Sequence, residues 1–99
     1  MAVLTPKQKQ YLKGLAHPLS PVVRVGKGGL TEAVIAEATK ALEAHELIKV
    51  RIEVEEGAAR RELAAKLAES TDAQLAGTIG KVAMLYRHRE EKPKIKLPV

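Results

Sequence analysis

Gly26-Lys27-Gly28-Gly29 packs three glycines and one cation into four residues. Glycine carries no Cβ, so a backbone built from it can lie against a phosphate with no side chain in the way. The valine-rich run Val22 to Val25 precedes this stretch, and Leu30-Thr31-Glu32 has the look of a helix start behind it. Loop amides and the first free N–H groups of that helix would point at an anion. Lys27 adds a charge that can touch phosphate but cannot read a base. The spacing is too short for a Walker loop, no Gly-Lys-Ser/Thr follows, and it is not a dinucleotide fingerprint. Taken alone, the same G-x-x-G also describes a tight glycine-rich turn.

The other reactive side chains do not assemble into a catalytic set. His17, His45 and His88 lie far apart with no ligand spacing. His17 precedes a proline and reads as a helix terminator with an exposed ring. His45 falls on the apolar edge of a helix, in its last turn, where a packed histidine gains from the helix dipole. Glu55 and Glu56 are adjacent and read as a solvated pair. There is no cysteine, hence no disulfide, thiolate zinc site or thiol nucleophile, which fits a reducing cytoplasm. The expectation is a cytoplasmic, non-enzymatic protein with no metal, no cofactor and no small-molecule substrate. No apolar run approaches a membrane span, so no membrane partner is expected either.

Charge points to an anionic partner. The chain carries a net +5, and basic proteins favour polyanions, nucleic acid first. Residues 1–29 hold Lys7, Lys9, Lys13, Arg24 and Lys27 and no acid. Residues 30–72 hold six bases against ten acids, and residues 73–99 hold six bases against Glu90 and Glu91. The two ends are therefore basic and the middle acidic. If the ends meet, they make one basic face.

The elements that must position these groups follow from periodicity. Thr5-Pro6-Lys7-Gln8 is a capped helix start. Leu4, Tyr11, Leu12 and Leu15 fall on one side of that helix, and Lys9 and Lys13 project from the opposite arc. His17-Pro18 ends it. Val22 to Val25 is a strand. Thr31 caps a second helix with Val34, Ile35, Ala38, Ala41 and Leu42 as its apolar face, while Glu32, Glu37 and Glu43 make its outer face acidic. Only its N-terminus can serve an anion. Leu47 to Val54 alternates as a half-buried strand. A third helix spans about Ala58 to Ser70. Ala73 to Ile79 and Val82 to Arg87 form a hairpin around Gly80-Lys81, a glycine-first turn. "VAMLY" is apolar at every position, as a central strand covered on both faces would be. About residues 88–99 make a charged, partly extended tail. At 99 residues with no internal repeat, a single domain is expected. The order α-β-α-β-α-β-β argues for an α/β domain with a mixed four-stranded sheet in two or three layers.

Aromatics refine the expected mode of binding. There is no Phe or Trp, and only Tyr11 and Tyr86. Both read as packing residues, so a base-stacking sheet is not expected. Recognition should lean on the backbone and shape of a structured RNA.

The segments "YLKGLAH", the G-x-x-G after a valine-rich strand, "HELIKV" and "IGKVAMLYR" together resemble the CRM domain family, named for chloroplast RNA splicing and ribosome maturation. The resemblance runs from about Thr5 to Pro98 and is strongest to the stand-alone bacterial, YhbY-type members. It implies a fold similar to the C-terminal domain of translation initiation factor 3. It also implies RNA binding without catalysis, and association with precursors of the large ribosomal subunit. The family's G-x-x-G loop maps onto Gly26, Lys27, Gly28 and Gly29. The expected RNA-binding set is Gly26 to Gly29 as a backbone cradle, Arg24 and Lys27 as phosphate contacts, Lys7, Lys9 and Lys13 as a flanking basic stripe, and Lys81 at the hairpin turn. The expected partner is ribosomal RNA or a pre-large-subunit particle, bound by a monomer. The rival expectation is a protein-interaction adaptor docking on an acidic ribosomal or assembly-factor surface.

Overall fold

The computed structural model describes residues 3–99. Its elements are α1 (Pro6–Ala16), β1 (Val23–Val25), α2 (Glu32–His45), β2 (Leu47–Ile52), α3 (Gly57–Ser70), β3 (Gln74–Ile79) and β4 (Val82–Tyr86). The order matches the one expected from the sequence. The strands form one mixed sheet in the order β1-β2-β4-β3. β1 runs parallel to β2, and the β2–β4 and β3–β4 pairs are antiparallel. A parallel pair needs a crossover, which α2 supplies.

The sheet is covered on both faces, so the domain has three layers. On one face Leu42 of α2 and Leu67 of α3 pack with Val25, Ile48, Val50 and Leu85. On the other, Leu12 and Ala16 of α1 pack with Leu47, Met84 and Tyr86, joined by Ile95 and Leu97 of the tail. β4 serves the two cores alternately, Ala83 and Leu85 to one, Met84 and Tyr86 to the other. That double duty explains why it carries no polar residue.

Local chemistry sets the helix starts. Thr5 caps α1 through the Gln8 amide, and the Gln8 side chain returns to the Thr5 amide, closing a capping box. Thr31 Oγ1 accepts from the Val34 amide at 3.2 Å and caps α2. In the hairpin turn Gly80 has φ +58 while Lys81 does not take a positive φ, as a glycine-first turn requires.

Three expectations need correction. Tyr11 is 42 % exposed and Leu15 38 %, so neither belongs to the core. Lys13, expected on the opposite arc, lies half-buried beside the Leu12–Ala16 stripe, its stem over Gly77. The cause is a bulge in β3. Leu75 faces Leu85 and Gly77 faces Met84, so Ala76 is the extra residue. Ala76 then fills the core under α1, and side-chain-free Gly77 lets the lysine stem come down on the sheet. His45 is exposed rather than packed, at the rim of an apolar hollow with Leu15, Leu19 and Val22.

The tail, read as charged and partly extended, is held against the domain. It has no helix or strand, yet one buried side chain organises it. Glu46, just past α2, is fully buried and has φ 61, a backbone region that usually favours glycine. Its carboxylate accepts hydrogen bonds from the amides of Arg89 (3.2 Å), Ile95 (3.0 Å) and Lys94. Further along, Gln8 Nε2 of α1 donates to the Pro98 carbonyl at 3.0 Å. The tail thus lies as a clasp against α1 and the end of α2.

Candidate nucleic-acid interface

Gly26 to Gly29 form a β-turn closed by the Gly29 amide donating to the Gly26 carbonyl at 3.1 Å. Gly29 has φ +72, and its carbonyl accepts from the Thr31 amide at 3.1 Å. That position needs glycine for its backbone shape. Gly26 and Gly28 do not. A Cβ added at Gly26 would meet nothing within 4 Å, and one at Gly28 would meet only Thr31 Cγ2 at 3.7 Å. Both lack a positive φ. Two of the three glycines are therefore not explained by the fold's own packing. Among the described residues, nothing accepts a hydrogen bond from the Lys27 or Gly28 amide.

The turn leads off one end of β1, and strand register shows what lies beside it. Arg24 pairs with Arg51 across β1–β2, Arg51 with Val82 across β2–β4, and Val82 with Ile79 across β4–β3. Directly paired residues share a face, so one row crosses all four strands. Met84, two residues from Val82, packs under α1, which puts the row on the face that α1 covers. The next row is Lys49, Met84 and Gly77, and α1 lies over it. The Arg24–Ile79 row is left open: Arg24 is exposed, Arg51 and Val82 are half-buried, and Ile79 is 64 % exposed.

One acid organises the basic half of this row. Arg51 Nε donates to Glu53 Oε1 at 2.7 Å, and Arg24 Nε stands 3.6 Å from the same oxygen. The Arg51 hydrogen bond is the main cause holding the Glu53 carboxyl below the usual glutamate range. Both guanidiniums are thereby kept on one side of the sheet, beside the glycine turn. Lys49 is engaged differently. Its Nζ donates to the carbonyls of His17 (3.3 Å) and Leu19 (3.0 Å), tying β2 to the segment after α1.

The expected basic set is split by the fold. Because β3 is antiparallel to β4, and β4 to β2, it runs in the same sense as β1. The hairpin turn with Lys81 and the glycine turn with Lys27 therefore sit at the same end of the sheet, and Arg24 is next to it. Lys13 flanks the open row from α1, above Gly77. Lys7 and Lys9 belong instead to the start of α1, where the Leu4 amide donates to Gln74 Oε1 at the opposite end of β3. Lys9 lines a hollow there with Leu4, Asp72 and Gln74. The structure does not bring Lys7 and Lys9 to the glycine turn.

Lys81 is also less available than its place suggests. It pairs with Glu55 at 2.7 Å, and this bond is the first cause holding the Glu55 carboxyl low. Among the described residues, neither Lys13 nor Lys27 has an acidic partner. Arg60 is spent on structure, donating to the Val54 (2.7 Å) and Glu55 (2.6 Å) carbonyls.

Arg51, Glu53, Val82 and Ile79 are the residues that sequence reasoning left out of the site. Alternation along β2 places Arg51 on a wet face, but only the β1–β2 register puts it beside Arg24. No local pattern carries that pairing.

Comparison with known proteins agrees with this architecture. A family model described as the CRS1 / YhbY (CRM) domain matches residues 4–87. A Haemophilus influenzae protein named "RNA-binding protein" is 47 % identical over 98 residues, covering 99 % of this chain and 98 % of the relative. The Bacillus subtilis "Probable RNA-binding protein YqeI" is 40 % identical over 96 residues, covering 97 % of this chain and all of the relative (100 %). A solution structure of a hypothetical Staphylococcus aureus protein, described as a candidate RNA-binding protein, superposes with a TM-score of 0.87 at 41 % identity. It covers 97 % of this chain and 100 % of its own. With the motif segments, the mixed sheet and the matched family model all in agreement, the chain belongs to the CRS1/YhbY (CRM) domain family.

Proposed function

We propose that this domain binds structured RNA without catalysing a reaction, and that it does so during assembly of the large ribosomal subunit. The Gly26–Gly29 turn is the cradle for phosphodiester backbone. Arg24 and Lys27 contact phosphates, Lys13 and Arg51 extend the contact along the sheet, and Lys81 contributes weakly because Glu55 competes for it. The observation that carries this is the pair Gly26 and Gly28. Neither backbone angle nor internal packing demands glycine there, yet bare backbone is what close approach of a phosphate requires. The names of the relatives support RNA as the partner. The ribosomal assignment rests on the family resemblance.

The test is a Lys27→Glu/Lys13→Glu variant titrated against ribosomal RNA fragments at several salt concentrations. Four to six neutralised phosphates give wild type a log K against log salt slope of magnitude roughly 4 to 5. The variant should fold normally, bind at least about tenfold more weakly, and lose roughly 2 from that slope. Equal binding by the two proteins would sink the site.

The adaptor reading has one observation in its favour, the hollow lined by Leu15, Leu19, Val22 and His45. Titration against RNA and against ribosomal proteins at two salt concentrations separates the readings. Saturable binding to RNA and not to the proteins supports the first reading and the reverse supports the adaptor; both kinds of contact weaken with salt, so the partner decides.

A further inference from the structure

We propose that the open row Arg24–Arg51–Val82–Ile79 seats one or two unpaired nucleotides of the bound RNA. Their bases lie on Ile79 and Val82, and their phosphates lie on the two guanidiniums. This rests on the RNA-binding function above and adds what kind of RNA the domain selects.

The composition of the row is the first argument. Half of it is guanidinium and half is aliphatic, in one line across four strands. Neighbouring strands lie about 4.8 Å apart, so Arg51 and Ile79 are separated by roughly 10 Å. A single strand of RNA offers phosphate and base side by side on that scale. A regular duplex does not, because its bases stay stacked inside and only its backbone and groove edges are presented.

The second argument is exposure. Ile79 keeps 64 % of its surface in water. It stands on the face that α1 covers elsewhere, and neither α1 nor the tail packs on it. A β-branched side chain on a wet sheet face beside two arginines gains little from folding. It gains from an apolar surface brought to it, and the flat face of a base is one.

The third argument is charge. Lys13 flanks the row on the α1 side and Lys27 stands at the neighbouring turn. Glu53 is already engaged by Arg51 and Arg24, and Glu37, which shares their hollow, forms no ion pair with either. The surroundings fit a polyanion that carries apolar rings. They also explain how bases are held with no aromatic platform, since guanidinium planes can stack on bases too.

The experiment uses the full chain and fluorescence anisotropy with three RNAs: a perfect duplex, the same duplex with a two-nucleotide internal bulge, and a single strand. Wild type should bind the bulged RNA at least about fivefold more tightly than the duplex, the scale of one base contact. Ile79→Ser should abolish that preference and leave duplex affinity within about twofold, since exposed Ile79 contributes little to the fold. Ile79→Phe should tighten bulged-RNA binding by about fivefold, because a ring stacks better than an aliphatic chain. Equal wild-type affinity for duplex and bulge overturns the seat alone, as does a preference that survives Ile79→Ser. Failure of wild type to bind any of the three overturns both the seat and the RNA-binding function.

Discussion

The glycine turn and the C-terminal tail are both irregular and both rich in charge, yet they are held in opposite ways. The turn is closed by its own backbone, Gly29 to Gly26 and Thr31 to Gly29. Among the described residues, nothing accepts from two of its amides, those of Lys27 and Gly28. The tail has few bonds of its own. It borrows a carboxylate from the end of α2, and Glu46 engages three of its amides. A segment that closes on itself keeps donors for a ligand. A segment closed by someone else's acceptor has spent them on the fold. Irregular structure is thus left open in one place and committed to the fold in the other, and the difference lies in what the amides meet.

The comparison breaks most visibly at Glu46. Glu46→Ala removes the acceptor for three amides, and buried polar groups left unpaired are expensive. The expected loss is about 3 kcal/mol by thermal or denaturant unfolding. In hydrogen exchange the amides of Arg89, Lys94 and Ile95 should lose protection, while the glycine turn is unchanged. Retained tail protection would show that Ile95, Leu97 and the Gln8–Pro98 bond hold the tail without Glu46.

The next test separates the glycines. Gly29→Val forces a β-branched residue to φ +72 and should cost about 1 to 2 kcal/mol. Gly26→Ala meets open space and should stay within about 0.5 kcal/mol of wild type. RNA affinity should show the reverse preference for Gly26→Ala, falling several-fold with stability intact. A Gly26→Ala variant that binds normally would make the turn as purely structural as the tail.

The smallest effect lies in the acid limb. Glu53 and Glu55 have folded-state pKa values below their unfolded ones, chiefly through hydrogen bonds from Arg51 and Lys81. A depressed carboxylate adds stability above the unfolded value, and that stability is lost as pH falls through the folded one. Glu55 is exposed and Glu53 only half-buried at the surface, so solvent screens both pairs and the change in stability should be slight. Arg51→Gln should raise the Glu53 titration midpoint, read by NMR, and leave Glu55 in place. A matching rise at Glu55 would show the two clusters to be coupled.

Much of the fold was legible because its instructions are local. Thr5 with Gln8, Thr31, and Gly80 each fix an element boundary through atoms a few residues apart. The unbroken apolar run of β4 announced a strand covered twice. What escaped was everything that depends on register. The Lys13 placement follows from a one-residue bulge at Ala76, and helical periodicity cannot see a bulge in another element. Tyr11 and Leu15 sit beside the apolar stripe in sequence, but α1 needs only Leu12 and Ala16 for its contact, so they stay in water. Glu46 reads as one more surface acid at a helix end, and its role exists only once the tail has arrived from more than forty residues away. At the site, the glycines and Lys27 were visible as a motif. Arg51, Val82 and Ile79 became part of a surface only through three strand pairings.

The position of α1 has a consequence for how the chain comes to be folded. It is synthesised before the strands it packs on, yet its apolar side is covered by Met84 and Tyr86 of β4 and by Ile95 and Leu97 beyond it. Its anchoring bonds span 70 residues at Leu4 and 90 at Gln8. Contacts so distant along the chain are slow to form. The face between α2, α3 and the sheet draws instead on segments closer together in sequence. The α1 face, which carries Lys13, therefore depends on residues as late as Leu97, and the groove beside it exists only once they are in place.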